Sequence, residues 1–439
     1  MAEDAFDAPV ENPKRALGVV FAIVFVDLLG FGILIPIIPL YAESFGASEF
    51  VVGVLLASYS LTQFLAAPVL GRLSDERGRR PILLLSLFGS VLAWTMFGLA
   101  GSLAVLFGAR LLAGAMGGNI ATAQAYIADV TPPEDRAKGL GLVGAAFGLG
   151  FVFGPALGGV FSSAAVLAVA RDVLPAVVPV SEFSLPSFAA AAISAFNLVV
   201  AAVVLPETRE RAGDVEDRQS RVQRLLGAVS SPALGGLVVA FFLFSFAFSG
   251  MESMFVLFTK DLYGYGPEMN GYVLAYMGVV IAIVQGGLVG RLTDRFGETR
   301  LATAGVGVEL VTLAVLPFAP VVGGAVLPAV GPVSPVPALS GELLALLAVL
   351  TALAFGNGVA NVSLTTLVSK HASEDEQGGA FGLTQSAGSL ARIFGPVLAG
   401  FLYAFADYWV PFVLGGLLMV PILAILSSRA FSPTAPTPS

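Results

Sequence analysis

The chain has 439 residues, 56% of them hydrophobic and only 12% charged, with a net charge of −8 and a mean hydropathy of +0.89. An ordinary soluble domain carries about 25% charged residues, so this apolar excess excludes a fold surrounded by water. The lack of cysteine excludes disulfides and thiolate metal sites, and the lone His371 excludes a multi-histidine metal site and a histidine-based triad. No metal, cofactor or nucleic-acid partner is expected.

The first fifteen residues, "MAEDAFDAPVENPKR", are polar and acidic, and read as a disordered tail without a signal-peptide layout. Apolar segments follow at 17–40, 50–71, 81–101, 103–128, 138–162 and 187–206, then at 233–257, 270–290, 301–320, 343–368, 379–405 and 409–428. Crossing the hydrocarbon takes roughly 20 apolar residues of helix, and only helices or closed barrels satisfy the backbone there. The segments lack strand alternation, so twelve membrane-spanning helices in an all-α protein are predicted.

Lys and Arg set the orientation. With the N-terminus inside, eighteen of them fall on the cytoplasmic side against two, Arg171 and Lys260, outside, as the positive-inside rule requires. Both termini are thus expected in the cytoplasm of a multi-pass plasma-membrane protein. Two Pro-rich apolar stretches, 163–186 and 321–341, are expected to be outer loops, because one added span would invert everything after it. Residues 207–231 form a polar cytoplasmic linker between an N-terminal bundle, 16–206, and a C-terminal bundle, 232–428. A tail follows at 429–439.

The two halves repeat. "GRLSDERGRR" at 71–80 is echoed by "GRLTDRFGETR" at 290–300, which pairs Gly71 with Gly290, Asp75 with Asp294 and Gly78 with Gly297. Separately, residues 134–159 align with 375–400, pairing Gly141 with Gly382, Gly154 and Pro155 with Gly395 and Pro396, and Gly159 with Gly400. Each match lies six helices from its partner on the same side, the pattern of parallel transporter repeats with the substrate site at their interface.

On these residues the chain resembles the major facilitator superfamily, over 16–428. Gly71, Leu73, Asp75, Gly78, Arg79 and Arg80 stand where that family's loop 2–3 signature has them. "LLGFGILIPIIPLYA" after Asp27 is similar to the first helix of its drug:proton antiporters, and "ARLLAGAMGGNIATAQAYIAD" to its fourth-helix signature. Helix five carries an antiporter pattern in Gly141, Gly150, Gly154, Pro155, Gly158 and Gly159, and "LPETR" closes helix six as in relatives. The resemblance implies a cytoplasmic gate in which Asp75 caps helix eleven near residue 379 and Arg79 pairs with Asp129. The second copy, Gly290 to Arg300, lacks the matching arginine run and is the weaker latch. A plain anchor with a tight turn would also account for both copies.

Charges inside the bilayer cost roughly 2.5–3.5 kcal/mol each on insertion scales and mark ion pathways or buried pairs. Asp27 lies near the middle of helix one, on a helix that the resemblance places at the cavity, and is the first candidate for proton coupling or cation binding, the plainer reading being a buried hydrogen-bonded partner for a neighbouring helix. Arg110 on helix four and Glu252 on helix seven are further candidates. Their plainer readings are a packing pair with a helix-one carbonyl and a carboxylate reaching the outer surface. Arg392, deep in helix eleven, either neutralises a cavity acid or locks its helix. Asn357 and Asn361 share one face of helix ten at i, i+4. Glu309 on peripheral helix nine is expected to pair with a neighbour. Phe31, Phe241, Phe242, Phe244 and Tyr276 could line a pocket for flat apolar cations.

No G-x4-GK-[ST] motif occurs, so ATP drive is unsupported. With the resemblance, this implies a monomeric secondary transporter that is not an enzyme, exporting amphipathic or cationic drugs in exchange for protons (or sodium). An importer or symporter of a sugar or metabolite on the same fold, and a non-transporting sensor or scaffold, are the alternatives.

Overall fold

The computed structural model describes residues 13–132, 135–208, 232–328, 340–372 and 377–428. Among them all regular structure is helical. In chain order helix one is Pro13–Leu34, followed by a short helix Ile38–Ser44; helix two is Glu49–Arg77 and helix three Arg79–Gly98. Helix four comes in two pieces, Leu103–Met116 and Asn119–Val130, before helix five, Arg136–Ser162, and helix six, Ser184–Val204. Helix seven is Pro232–Tyr263. Helix eight runs Pro267–Ile283, passes a π-helical turn at Val284–Leu288, and ends as Val289–Phe296. Helix nine is Glu298–Val315 with a continuation, Ala319–Val326, and helix ten is Gly341–His371. Helix eleven is Gln377–Phe405, and helix twelve is split into Val410–Leu417 and Met419–Leu426.

Eleven of these helices are long and apolar enough to cross a membrane, and Val410–Leu426 is a shorter apolar one. The two Pro-rich stretches differ from expectation. Residues 163–186 include a ten-residue helix, Ala164–Val173, because Ser163 Oγ accepts the Val166 N–H at 3.4 Å and the prolines begin only afterwards, at Pro175. Helix nine likewise runs on to Val326 through a 3-10 turn at Leu316–Phe318, while 329–339 lie outside the described residues. Most of the 207–231 linker, the 429–439 tail and residues 1–12 also lie outside them, and Pro13 already opens helix one.

The helices gather into two compact units. One holds residues 1–47, 58–214 and 265–278; the other holds 48–57, 215–264 and 279–439. In the first, Ile23 and Leu28 of helix one, Leu87 of helix three, Tyr126 and Ile127 of helix four, and Ala146 of helix five share one apolar core. Glycine sets how closely the helices approach. A Cβ at Gly154 on helix five would lie 2.5 Å from Gly32 Cα on helix one, and one at Gly158 would lie 2.3 Å from Ile33 O. Without a hydrophobic drive between helices in lipid, such small residues supply the packing.

The repeat is visible in these contacts. On helix eight, a Cβ at Gly271 would meet Pro155 O of helix five at 2.5 Å, and Gly159 faces Glu268 O. On helix two, a Cβ at Gly53 would meet Pro396 O of helix eleven at 2.3 Å, and Gly400 faces Glu49 O. The second pair of contacts is the first displaced by one repeat. It explains why Ser48–Ala57 belongs to the unit of helix eleven, and Tyr265–Gly278 to the unit of helix five. Overpacking of this kind costs about 1–3 kcal/mol or more. Gly154→Val is therefore expected to lower the thermal unfolding midpoint in detergent by several degrees, whereas Gly141→Ala, with nothing within 4 Å of its added Cβ, leaves it unchanged.

Candidate functional site

The charged turn between helices two and three is built on Gly78, whose φ of 99° suits glycine. A Cβ there would also lie 2.4 Å from Glu207 Oε2. That carboxylate caps helix three: Oε1 accepts the Arg79 N–H at 2.9 Å and Oε2 the Arg80 N–H at 3.1 Å. It thereby satisfies donors that a helix start leaves orphaned, where the dipole favours an anion. The Arg79 guanidinium donates through Nη1 to Asp75 Oδ1 (2.7 Å) and Ser74 Oγ (3.1 Å), and through Nε to Asp129 Oδ2 (3.0 Å). Thr208 Oγ1 also donates to Asp129 Oδ2 at 3.3 Å, and the Tyr126 hydroxyl to Pro206 O at 3.1 Å.

One arginine side chain, 7% exposed, thus holds the ends of helices two and four, while Glu207 brings in the end of helix six. A cation so far removed from water depends on both carboxylates. Gly71 has open space around it and Gly290 is exposed, as is Asp294. The expected partner of Asp75 near residue 379 lies outside the residues whose side chains are described.

Within the membrane, Arg110 is 3% exposed and packs over the Tyr59 ring of helix two, 4.7 Å from its centroid. A desolvated cation over a ring is attracted by the ring's quadrupole. The same tyrosine contacts Phe31 of helix one at 5.2 Å between ring centroids. Phe31 stands one turn beyond the half-buried Asp27, on the same helix face. Phe31, Tyr59 and Arg110 therefore form a continuous row across helices one, two and four, with Asp27 one turn before Phe31 on the same face. Nearby, Gln63 Nε2 donates to Gly117 O at 3.0 Å, at the break in helix four.

In the other unit Glu252 is half-buried on helix seven, which packs against helix eleven, the helix of Arg392. Arg392 is itself exposed, with Ser389 Oγ 3.5 Å from Nη2. Asn357 is buried on helix ten and gives its amide to Glu309 Oε1 on helix nine at 3.4 Å. Glu309 is fully buried, and its Oε2 has no partner among the described residues. Asn361, one turn on, is half-buried.

Of the helix-five glycines, Gly150, Gly154 and Gly158 pack on helix one and Gly159 on helix eight, while Gly141 faces open space. Phe244 is buried in packing and Phe241 and Phe242 are half-buried. An apolar groove of about 360 Å³ is lined by Phe50, Phe246, Phe394 and Phe401 among others. Sequence reasoning missed Glu207, Thr208 and Tyr59. Glu207 lay in the quoted "LPETR", but only its position at the end of helix six signalled it.

Losing a helix cap costs about 0.5–2 kcal/mol. Glu207→Ala is expected to lower the unfolding midpoint measurably, with Glu207→Gln falling between it and the parent in the same melt.

Comparison with known proteins agrees with this architecture. The family model of the Major Facilitator Superfamily matches residues 20–334 and 322–439. The class C tetracycline resistance protein of Escherichia coli is 30% identical over 432 residues, covering 95% of this chain and 98% of that one. Multidrug resistance protein 2 of Bacillus subtilis is 26% identical, with 94% of each chain covered. Among solved structures, the human organic anion transporter MFSD10 superposes with a TM-score of 0.65 at 24% identity, over 95% of this chain and 100% of that chain. A bacterial homologue of the lysosomal transporter Spinster superposes at 0.70 and 16% identity, over 95% of each. The chain belongs to the major facilitator superfamily, and within it to the drug-efflux branch of secondary active transporters, which are not enzymes.

Proposed function

We propose that this multi-pass membrane protein exports amphipathic or cationic organic molecules in exchange for protons, by alternating access. The moving bodies are the bundles 16–206 and 232–428, and the protein works as a monomer in the plasma membrane with both termini in the cytoplasm. The observation that carries the reading is the row from Phe31 through Tyr59 to Arg110, with Asp27 one turn before Phe31. It offers an acid that can exchange a proton, aromatic surface for a flat cation, and a fixed positive charge that a bound cation must not approach. Competition between proton and substrate at Asp27 then links the two fluxes, since a ligand shifts a two-state equilibrium only by its differential affinity.

Glu252 with Arg392 supplies a second acid in the C-terminal half. Helix five, with its glycine contacts to helices one and eight, supplies a rigid, close-packed wall against leakage. The Asp75–Arg79–Asp129 cluster, with Gly71 and Gly78 around it, acts as the cytoplasmic latch. Resistance to tetracycline and to multiple drugs, the roles that the relatives' names carry, fits such a substrate class.

In vesicles with an imposed pH gradient, Asp27→Asn is expected to slow gradient-driven ethidium movement by about ten-fold or more, roughly 1.4 kcal/mol in the rate. Equal rates for variant and parent at every gradient would remove Asp27 from the mechanism. Asp75→Asn is expected to shift labelling of single engineered cysteines toward the inward-open pattern. An unaltered pattern would refute the latch.

A further inference from the structure

Helices three and nine begin at equivalent places in the repeat. Arg79 and Glu298 stand 219 positions apart, as Gly71 and Gly290 do, and each follows a glycine of positive φ, 99° at Gly78 and 77° at Gly297. Helices four and ten end at equivalent places of the other alignment, with Asp129 and Lys370 separated by the same 241 positions as Gly154 and Gly395. In the first half Arg79 is bonded to Asp129. In the second half Lys370 Nζ is bonded to Glu298 Oε1. The connection is kept and the charges have changed places.

We propose that Glu298–Lys370 is a second strut, the charge-reversed equivalent of Arg79–Asp129, which holds the start of helix nine to the end of helix ten through the transport cycle. The inference rests on the transporter reading above. The helix dipoles support the reversal. Glu298 sits in the first turn of helix nine and Lys370 in the last turn of helix ten, where each sign is favoured. Arg79 and Asp129 have the opposite placement, and Glu207 provides the anion that helix three needs. In helix nine, Glu298 provides it itself.

The reversal has a cost on helix eight. In the first half Arg79 also binds Asp75, four residues before it. In the second half the residue four before Glu298 is Asp294, of like charge, exposed and without an ion pair among the described residues. The last segment of helix eight, Val289–Phe296, follows the π-helical turn Val284–Leu288 and is not tied into the strut. Helices nine and ten are therefore joined by charge at this end, whereas the end of helix eight meets them through the apolar cluster of Val289 with Leu301 and Val359, after a turn of the kind that recurs at functional sites.

The native chain has no cysteine, so a single reporter thiol can be read without background. Thr366→Cys lies one turn before Lys370 on helix ten. With this reporter, Glu298→Gln and Lys370→Gln are each expected to speed alkylation by a neutral maleimide about three-fold, and the exchange E298K/K370E to return it to the parent rate, as a double-mutant cycle requires of a direct pair. Ethidium efflux is expected to fall about ten-fold in the single variants and to recover in the exchange, with unchanged unfolding midpoints, because an exposed pair adds little to stability. The first-half exchange R79D/D129R is expected not to recover, because Asp75 then faces a second carboxylate. Alkylation indifferent to the single changes, or not restored by the exchange, would make the pair an inert surface contact and overturn the strut. Absence of ethidium movement in the parent would count against the transport reading alone, since alkylation still decides the strut.

Discussion

Backbone-to-backbone approach at glycine is the constraint on which the rest depends. Helix five touches helix one at Gly154 and Gly158, and helix eight at Gly159 and Gly271, with distances that leave no room for a side chain. Helix eleven meets helix two in the same manner through Pro396 and Gly400. In lipid the surroundings are as apolar as the side chains, so helices gain little by hiding leucine and much by fitting closely. These crossings fix which parts of helices two and eight pack into which compact unit.

At the turn between helices two and three the organising force is electrostatic. Arg79 is almost removed from water and is held by Asp75 and Asp129, while Glu207 stands at the start of its helix. Breaking such a group by removing one partner leaves an uncompensated charge, which is costlier than the bond itself is favourable. That cost keeps the ends of helices two, three and four tied together as one piece.

The membrane charges divide by their neighbours. Arg110 lies over an aromatic ring in a row with Phe31, whereas Glu309 is enclosed between helices nine and ten with the Asn357 amide. The first arrangement offers a surface that a substrate could share. The second is filled by packing: Gly305 and Gly356 bring those two helices to backbone contact.

Hydropathy together with the placement of Lys and Arg predicted twelve helices, of which eleven are long and apolar enough to cross a membrane and the last is shorter, and the two charged turns and the glycine motif pointed to the family, because lipid forces every span to be helical. The repeat was equally legible, since Gly71, Gly154 and their counterparts recur at constant spacing. The helix at Ala164–Val173 was hidden by prolines that lie beyond it. Only the tertiary structure decided that Glu207 caps helix three from 128 positions away, that Tyr59 lies under Arg110, and that Lys370 answers Glu298 as Asp129 answers Arg79. Composition and period act along the chain, where neighbours are known. Which side chain meets which across the bundle depends on how closely the backbones approach and how the helices are turned, and neither is written in any local stretch of residues.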